Sequence, residues 1–529
     1  MAYLLFSRER IGCLARIIGQ DYGSSPHASA SIELAASLIA KLCTEEEHKA
    51  ALAESGILDA LAQKVASFVV AQGFVLPGAE RRLQLQTSSS LNKLPSPSPP
   101  RASLAPILRA VTVIIEHSKW RAEHFLSSPD ILLVLPKDQT EFAPHDIRKG
   151  PRGSVYLSGS AVPQQPAASP VDYLLPTVPL AQTKATTMNA NFPPLGQHAS
   201  HSRHTHLYIP PHPLFDSSAT EENENAIIPW LLYLFRAETG MVRLMAARMV
   251  TVLFRLGLAR KNRVSMFSVL LIPVLIRMLD KDYLPEENNT AAYDGVASTA
   301  ACLKEEAPAV LATLVIDDQE LQKQAVEGGG IKRLSQLLKE SYNPVHENQQ
   351  HVWEANCGPS SADREGFPDE ELPSDCRLGL PGYSPLVCHI MRYRENILKA
   401  LAAIVPFKDE YRKAVCENGV VPYIIDSLKP RPEEWPGSAS SPNNTAAAGN
   451  PTATLLAACG AARMLTRSVS VLRTSLIDAG VATPLFVLIK HPDIDVQIAA
   501  TSVICNLALD FSPMKEVSMQ AVLYEVKFY

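Results

Sequence analysis

The stretch that decides the fold runs from Leu455 to Val517: LLAACGAARMLTRSVSVLRTSLIDAGVATPLFVLIKHPDIDVQIAATSVICNLALDFSPMKEV. Its alanine- and leucine-rich start, Leu455 to Thr466, predicts a helix. After a break, the tripeptide DAG at 478–480 precedes a second apolar helix. A turn at Pro492 then leads to a short helix and a long apolar one, Ile498 to Leu509. The pattern indicates one helical repeat joined directly to the start of the next, and no part of it indicates catalysis.

Three upstream segments align without gaps with DAGVATPLFVLI, which begins at Asp478. They are ESGILDALAQKV from Glu54, EGGGIKRLSQLL from Glu327 and ENGVVPYIIDSL from Glu417. In each, an acidic residue and one variable residue precede a glycine and an apolar helix. Glycine permits a sharp turn, and the acidic residue favours the positive end of the following helix. We therefore take four glycines as the repeat-defining residues: Gly56, Gly329, Gly419 and Gly480.

Apolar helical stretches alternate along the chain with polar stretches that hold most of its 41 prolines. Helical repeats are predicted at 1–77, 104–135, 226–342, 383–428 and 451–529, the last repeat being incomplete. Disordered inserts are predicted at 78–103, 136–225, 343–382 and 429–450. An insert can leave one face of a solenoid without breaking the stack, so the sequence predicts an all-α solenoid of about six or seven units.

A spacing of roughly 40 to 47 residues with this order of helices indicates HEAT or armadillo units. The segment EGGGIKRLSQLL resembles the third-helix pattern of the armadillo family. That resemblance implies a right-handed superhelical solenoid. The helices that follow the glycines, as third helices, are expected to stack into an extended concave surface that binds a partner segment.

A narrower resemblance lies in NLALDFSPMKE, which begins at Asn506 and in which Asp510 to Pro513 end the helix. It is similar to the armadillo scaffold subunits of GID/CTLH ubiquitin-ligase complexes, the vacuole-import-and-degradation armadillo family of fungi. The block YRENILKALAAIVPFKDEYRKAVCENGVVPYIIDSL fits the same family. The resemblance implies a non-catalytic scaffold that joins the substrate receptor to the ligase core for proteasomal degradation of gluconeogenic enzymes. It also implies other protein subunits as partners, and a cytoplasmic and nuclear location.

The alternative is an unrelated armadillo adaptor in trafficking or signalling. Composition bounds both hypotheses, because a net charge of -5 and a pI near 6.3 give no general attraction to nucleic acid or anionic membranes. Nine scattered cysteines without a C-x-x-C pair are typical of reduced thiols in an intracellular protein. The sequence contains no run of about 18 apolar residues, so no membrane span is predicted. We expect no enzyme, no cofactor and no small-molecule substrate.

The candidate partner-binding residues are Arg248, Arg255 and Asn506. Arg248 and Arg255 lie seven positions apart in a stretch rich in arginine, so they share one helix face that could engage an acidic partner. A solvated helix face is the alternative for this patch. Asn506 occupies the place of the asparagine that follows a tryptophan in nuclear-import receptors of armadillo type. Thr313, Ala403 and Met464 stand at the equivalent places, which argues against that kind of receptor.

Two further motifs are weak. Five histidines in QHASHSRHTHLYIPPH, between His198 and His212, fit no closed zinc site. The segment GPRGS from Gly150 lacks the ending of a phosphate-binding loop. After Val517 the chain reads SMQAVLYEVKFY, where a complete repeat should continue with an acidic residue, a glycine and a third helix. An unusual cap and a truncated or mispredicted sequence both stay open, and either puts receptor binding toward that end in question.

Overall fold

The computed structural model describes residues 8–25, 27–75, 94–135, 225–260, 263–280, 283, 299–343, 385–431, 449–467 and 471–508. The described residues form helices joined by turns and short irregular segments, with an isolated bridge between Pro430 and Asn450. The prediction of an all-α, armadillo-type solenoid is confirmed. The inserts predicted at 78–103, 136–225, 343–382 and 429–450 lie mostly outside the described residues.

The first nine described helices are α1 Arg8–Gly19, α2 Ala28–Leu42, α3 Glu46–Glu54, α4 Ile57–Ala71, α5 Ala105–Ile115, α6 Lys119–Leu126, α7 Pro129–Val134, α8 Ile227–Ala237 and α9 Gly240–Arg255. The next five are α10 Arg263–Met266, α11 Ile272–Met278, α12 Thr299–Val315, α13 Gln319–Glu327 and α14 Gly330–Glu340. The last seven are α15 Pro385–Ile404, α16 Asp409–Glu417, α17 Val421–Ser427, α18 Thr452–Leu465, α19 Val471–Asp478, α20 Ala482–Leu488 and α21 Ile494–Leu507. A π-helical turn, Phe267–Leu271, joins α10 to α11.

Long helices form a continuous row through the stack. Each packs against the next in the order α2, α5, α9, α12, α15, α18, α21, and we call these the ladder helices. After most ladder helices the chain forms a short helix, and then the helix that begins after a repeat-defining glycine. The expectation that the helices after the glycines make the continuous surface is therefore wrong. Long helices bury more apolar side chain per neighbour, so they rather than the short ones hold the repeats together.

Two boundaries in the opening stretch differ from the sequence-based expectation. The short helix and long helix expected after Pro492 are one continuous helix, α21. Its N-cap is Asp493, whose Oδ1 accepts a hydrogen bond from the backbone N–H of Asp495 at 2.8 Å. Because a capping aspartate satisfies a free donor at the first turn, the helix begins there and not at Ile498.

The repeat-defining glycines have left-handed backbone conformations. The φ angles are +79° at Gly56, +80° at Gly329, +66° at Gly419 and +87° at Gly480. Side chains are strained at such angles, so glycine is the residue that makes this turn without cost. The turn brings the helix after each glycine back against the stack.

A second recurrent feature is a polar residue in the short helix, which in three of the four cases below lies seven positions before a repeat-defining glycine. Its long side chain reaches back to a carbonyl oxygen near the end of the preceding ladder helix. Its donors satisfy carbonyls that have no partner within the helix and face the negative end of the helix dipole. The four residues and their acceptors are Arg121 to Ile114, Gln322 to Val315, Arg412 to Pro406 and Arg473 to Thr466.

The ladder helices run in the same direction. Gln322 donates through Nε2 to the carbonyl oxygens of Val315, at the end of α12, and of Ala403, at the end of α15. Asn506, at the end of α21, likewise donates to the carbonyl oxygen of Arg463 near the end of α18. Neighbouring ladder helices thus have their carboxyl ends together, at one edge of the stack.

The longest stretches of sequence between consecutive helices all fall at one joint of the repeat. They contain 76–93, 136–224, 284–298, 344–384 and 432–448, and each separates a helix of the third position from the next part of the stack. After α20 the chain instead passes straight into α21. Additional sequence is therefore concentrated at the joint opposite the edge where the ladder helices end.

Candidate partner-binding surface

The structure places Arg248 and Arg255 on α9, where both contact residues of other repeats. Arg248 donates from Nη1 to Oε2 of Glu306 at 2.7 Å, and its Nη2 lies 3.7 Å from Oε2 of Glu116. Arg255 donates to the carbonyl oxygen of Ile316 at 2.7 Å, and its Nη2 lies 3.5 Å from Asp317 Oδ2. The expected open basic patch is thus already paired within the chain, and binding of an acidic partner by these two arginines stays a prediction.

Glu306 on α12 joins three ladder helices. It accepts hydrogen bonds from Arg109 of α5 and from Arg248 of α9, and it is buried. A buried carboxylate is costly unless it is paired, and two guanidinium groups supply that pairing. Because Arg109 and Arg248 come from the successive ladder helices α5 and α9, Glu306 fixes the position of these two helices relative to each other.

The adjacent Glu305 extends this arrangement to a fourth ladder helix. On α15, Nδ1 of His389 lies 3.0 Å from Oε2 of Glu305 and Arg392 Nη1 lies 3.6 Å from Oε1. The Asn396 side chain donates to the Glu305 carbonyl oxygen at 2.8 Å. We call this set of residues the charged seam: Arg109, Arg248, Glu305, Glu306, His389 and Arg392.

Sequence reasoning missed the charged seam. Arg109 and Glu306 are separated by 197 positions, and Arg248 and Glu306 by 58. Pairing depends on which face of each ladder helix packs against its neighbour, and a local stretch of sequence does not determine that face. A signal was nevertheless present, because two adjacent glutamates in the apolar helix around Ala307 require partners when the helix is buried.

Charged side chains of several ladder helices affect the thiol of Cys302 on α12. Burial is the largest cause that raises the pKa of its thiol, and Glu305 and Glu306 raise it further. Arg109 of α5 and Lys41 of α2 act in the opposite direction and lower it. A raised pKa keeps the thiol protonated at neutral pH, which makes Cys302 a poor nucleophile.

Some side chains of the ladder helices are exposed. On α2, Leu34 is 70% and Leu38 is 38% exposed, and Lys41 follows at helical spacing. On α15, the side chain of Arg392 is 57% exposed. The exposed positions of α2 and α15 therefore include both cations and aliphatic side chains.

Asn506 makes contacts within the chain. Its Nδ2 donates to the carbonyl oxygen of Arg463 at 3.2 Å and to Oγ1 of Thr466 at 3.3 Å. Its amide thus stabilises the end of α18. A regular row of side-chain amides that could bind an extended main chain is lacking at the equivalent positions, where Thr313, Ala403 and Met464 stand.

Arg394 is a buried residue of α15 that was not singled out from the sequence. It joins the segment that follows α14 to the segment that precedes α18. Arg394 of α15 donates to the carbonyl oxygen of Ser341 at 2.8 Å and to Oδ1 of Asn450 at 2.6 Å. Its guanidinium lies 3.7 Å from the centre of the Tyr342 ring. Burial lowers the pKa of Arg394, but Tyr342 and Asp426 oppose that effect. The residue stabilises the frame and faces no open surface.

The histidine tract from His198 to His212 and the segment from Gly150 lie outside the described residues, as do Asp510 to Pro513. Within the described ranges, no group of three or more His, Cys, Asp or Glu side chains could hold a metal ion. No helix there is long and apolar enough to cross a membrane.

Comparison with curated proteins finds similarity to two groups of relatives. The chain is 30% identical over 307 residues to GID complex subunit 5 of Schizosaccharomyces pombe, covering 57% of this chain and 31% of that protein. It is 24% identical over 304 residues to Armadillo repeat-containing protein 8 of Xenopus laevis, covering 54% and 37%. The chain therefore spans about a third of the length of these two relatives. No family model matches the chain.

Solved structures give a weaker comparison. A designed armadillo repeat protein, YIII(Dq)4CqI, has a TM-score of 0.32 and 15% sequence identity, with 53% of this chain and 82% of that chain covered. An engineered protein that covers 96% of this chain has a TM-score of 0.34. Similarity at this level carries no argument about fold or function.

Proposed function

We propose that this chain is a non-catalytic scaffold subunit of a GID/CTLH-type ubiquitin-ligase complex, in which it links a substrate receptor to the ligase core. The observation that carries the proposal is its 30% identity over 307 residues to GID complex subunit 5. Similarity to Armadillo repeat-containing protein 8 over 304 residues supports it.

The architecture supports scaffolding as the mechanism. A ladder of long helices presents one extended surface across many repeats, and a surface of this kind binds partners by shape and charge without a reaction. Internal ion pairs neutralise the acidic side chains of the charged seam, and the pKa of the Cys302 thiol is raised. These groups are suited to holding the repeats at fixed angles.

The proposal extends to the outcome for the cell. As a subunit of such a complex, the chain would act in proteasomal degradation of gluconeogenic enzymes, in the cytoplasm and the nucleus. We expect cells without it to retain these enzymes after glucose is restored, and the full chain to reverse the effect. Immunoblots of the enzymes over time would measure this, and unchanged decay in the deletion strain would contradict the substrate class.

Affinity purification with mass spectrometry tests complex membership. The full chain, tagged and expressed at its natural level in its own organism, should recover RING-type and CTLH-type subunits in stoichiometric amounts. An unrelated tagged armadillo protein provides the background. Recovery of vesicle or receptor proteins without a RING subunit would instead favour an adaptor in trafficking or signalling.

A further inference from the structure

The residues that end just before Leu104 are described, although they fall within the insert predicted at 78–103. They read LPSPSPPRAS, and we call this segment, 94–103, the proline strap. Residues 94–99 form neither helix nor turn, and a residue that precedes proline favours an extended backbone. A turn follows, in which the N–H of Ala102 donates to the carbonyl oxygen of Pro99 at 3.0 Å. The proline strap therefore runs extended and then turns toward α5.

Two backbone groups attach the proline strap to the stack. The N–H of Ser98 donates to the carbonyl oxygen of Ser67 on α4 at 3.1 Å, and the N–H of Ser103 donates to Oε1 of Glu33 on α2 at 2.8 Å. Prolines at 95, 97, 99 and 100 have no N–H to donate. Ser98 thus links the extended part of the strap to α4 by one backbone bond, which can open while the repeats stay folded.

The proline strap contains two serine-proline pairs, at Ser96 and Ser98. Ser96 is exposed and Ser98 is half-buried. Arg101 is exposed and follows Ser98 by three positions, which gives the order serine, proline, any residue, arginine. A kinase cleft binds such a segment extended, and proline after the serine leaves no N–H there without an acceptor. The cation at the third position can pair with acidic side chains of the kinase.

Ser98 differs from the comparable serines and threonines of this chain. Four serine-proline or threonine-proline pairs lie wholly within the described residues. Ser128 is 2% exposed, and Thr483 is exposed but lies inside the helix α20. Neither of these pairs nor the one at Ser96 has Lys or Arg at the third following position. Among the four, Ser98 therefore combines a non-helical backbone with the downstream cation.

We propose that Ser98 is the phosphorylation site of a proline-directed serine/threonine kinase, and that the phosphate releases the proline strap from α4. Oγ of Ser98 attacks the γ-phosphorus of ATP, the bond from that phosphorus to the β,γ-bridging oxygen breaks, and ADP leaves. The proton of the hydroxyl passes to a carboxylate of the kinase. This modification goes beyond membership of a ligase complex and does not depend on it.

The place of Ser98 explains why a phosphate favours release. Phosphoserine carries a charge of about -2 at neutral pH, and at a half-buried position it loses part of its hydration. Its bonding partner Ser67 lies near the carboxyl end of α4, the negative end of the helix dipole. Glu33 adds a carboxylate at the second attachment of the strap. The phosphorylated strap is therefore more stable in water than on α4.

Neighbouring cations do not offset this repulsion. Lys64, less than one turn before Ser67 on α4, is buried, and its Nζ donates to the carbonyl oxygen of Gln20 at 2.5 Å. Arg101 belongs to the proline strap and moves with it. Pairing of the phosphate with Arg101 would thus stabilise the released strap as well as the attached one.

Phosphorylation of the purified full chain by a recombinant cyclin-dependent kinase, with Mg²⁺ and ATP, tests the site. Ser96→Ala and Ser98→Ala each leave one acceptor in the strap, and mass spectrometry of digested chain locates the phosphate. We expect Ser98 to be modified at least about tenfold faster than Ser128 and Thr483, and Arg101→Gln to slow it about tenfold. No phosphate on Ser98, faster modification of Ser96, equal rates at Ser128, or no effect of Arg101→Gln would overturn the assignment.

Hydrogen exchange tests the release. In the Ser96→Ala chain with phosphate on Ser98, the Ser98 amide should exchange at least about tenfold faster than before phosphorylation. The matched control is Ser98→Ala with phosphate on Ser96, which adds the same charge at an exposed position and should change exchange in the strap less. Circular dichroism should show all forms equally helical. Unchanged exchange at Ser98, or the same acceleration in the control, would overturn the release.

Discussion

At Gly480 the backbone has a φ of +87°, and no atom lies within 4 Å of the place where a Cβ would be. Gly480→Ala should therefore destabilise the fold through backbone conformation alone, by about 1–2 kcal/mol. Gly460 is the matched control, since it lies inside α18 and also has nothing within 4 Å of a Cβ. Gly460→Ala should stabilise that helix by about 0.5–1 kcal/mol. Urea midpoints measure both, and a shift in the same direction would contradict the role of the turn.

His117 is a residue with a side chain at a left-handed backbone conformation, which glycine adopts without strain. Its φ is +65°, and it lies two positions beyond the end of α5, as Gly257 does beyond α9 with a φ of +75°. We expect His117→Gly to stabilise the protein by about 0.5–1 kcal/mol, because relief of strain exceeds the added chain entropy. His27→Gly is the control, since its φ of -100° suits any residue. Equal effects on melting temperature would exclude backbone strain as the cause.

At the scale of the element, Glu306 determines how three ladder helices meet. Glu306→Gln should cost about 1.5–3 kcal/mol, because it weakens charge-assisted hydrogen bonds with Arg109 and Arg248. Glu395→Gln makes the same chemical change in a pair within one helix, with Lys399 at 2.5 Å, and should cost less than about 0.5 kcal/mol. A double-mutant cycle with Arg248→Met should show coupling at Glu306. Additive effects in that cycle would contradict the link between helices.

Arg121 illustrates how a short helix is tied to a ladder helix. It donates to the carbonyl oxygens of Ile114 at 2.6 Å and Glu116 at 3.0 Å, and to Glu46 Oε2 at 2.7 Å. Arg121→Met should lower stability by about 2–3 kcal/mol, since it leaves buried carbonyls without donors. Arg101→Met, at an exposed position, is the control and should change stability by less than about 0.5 kcal/mol. Similar urea midpoints for the two variants would show that solvent replaces these bonds.

Sequence reasoning found the turns of the repeat because a turn is local. One glycine and its neighbours contain the information needed to predict it, and the φ angles at Gly56 and Gly480 are those of such a turn. The polar residue seven positions earlier, such as Arg473 before Gly480, was equally visible as a spacing and was not used. Its role depends on a carbonyl of the preceding ladder helix, at Thr466, which the spacing alone does not name.

The candidate surface was harder to predict, for a physical reason. Arg248 and Arg255 were correctly placed on one helix, but their neighbours come from α12 and from the end of α5. The count of charges along the sequence therefore predicted an exposed basic patch, whereas in the structure these two arginines form ion pairs.

At the scale of the whole molecule, the joint before α18 should tolerate replacement of its added sequence. The backbone N–H of Asn450 donates to the carbonyl oxygen of Lys429 at 2.9 Å, and its side chain donates to Asp426 O at 2.9 Å. We expect replacement of 432–448 by a six-residue Gly-Ser linker to change the free energy of unfolding, measured by urea denaturation, by no more than about 1 kcal/mol, because closure entropy varies slowly with length. Asn450→Ala should destabilise the fold, and a large loss with the linker alone would contradict the argument.

The distance along the sequence between packed ladder helices also bears on the order in which the chain folds. From the end of α5 at Ile115 to the start of α9 at Gly240 the chain advances 125 positions, whereas from the end of α18 at Leu465 to the start of α21 at Ile494 it advances 29. Contacts between residues that are far apart in sequence form more slowly than local ones. The nucleus should therefore form where ladder helices are joined most directly, at α18 to α21, and propagate toward the amino terminus, with the pairing across 136–224 as the slowest step.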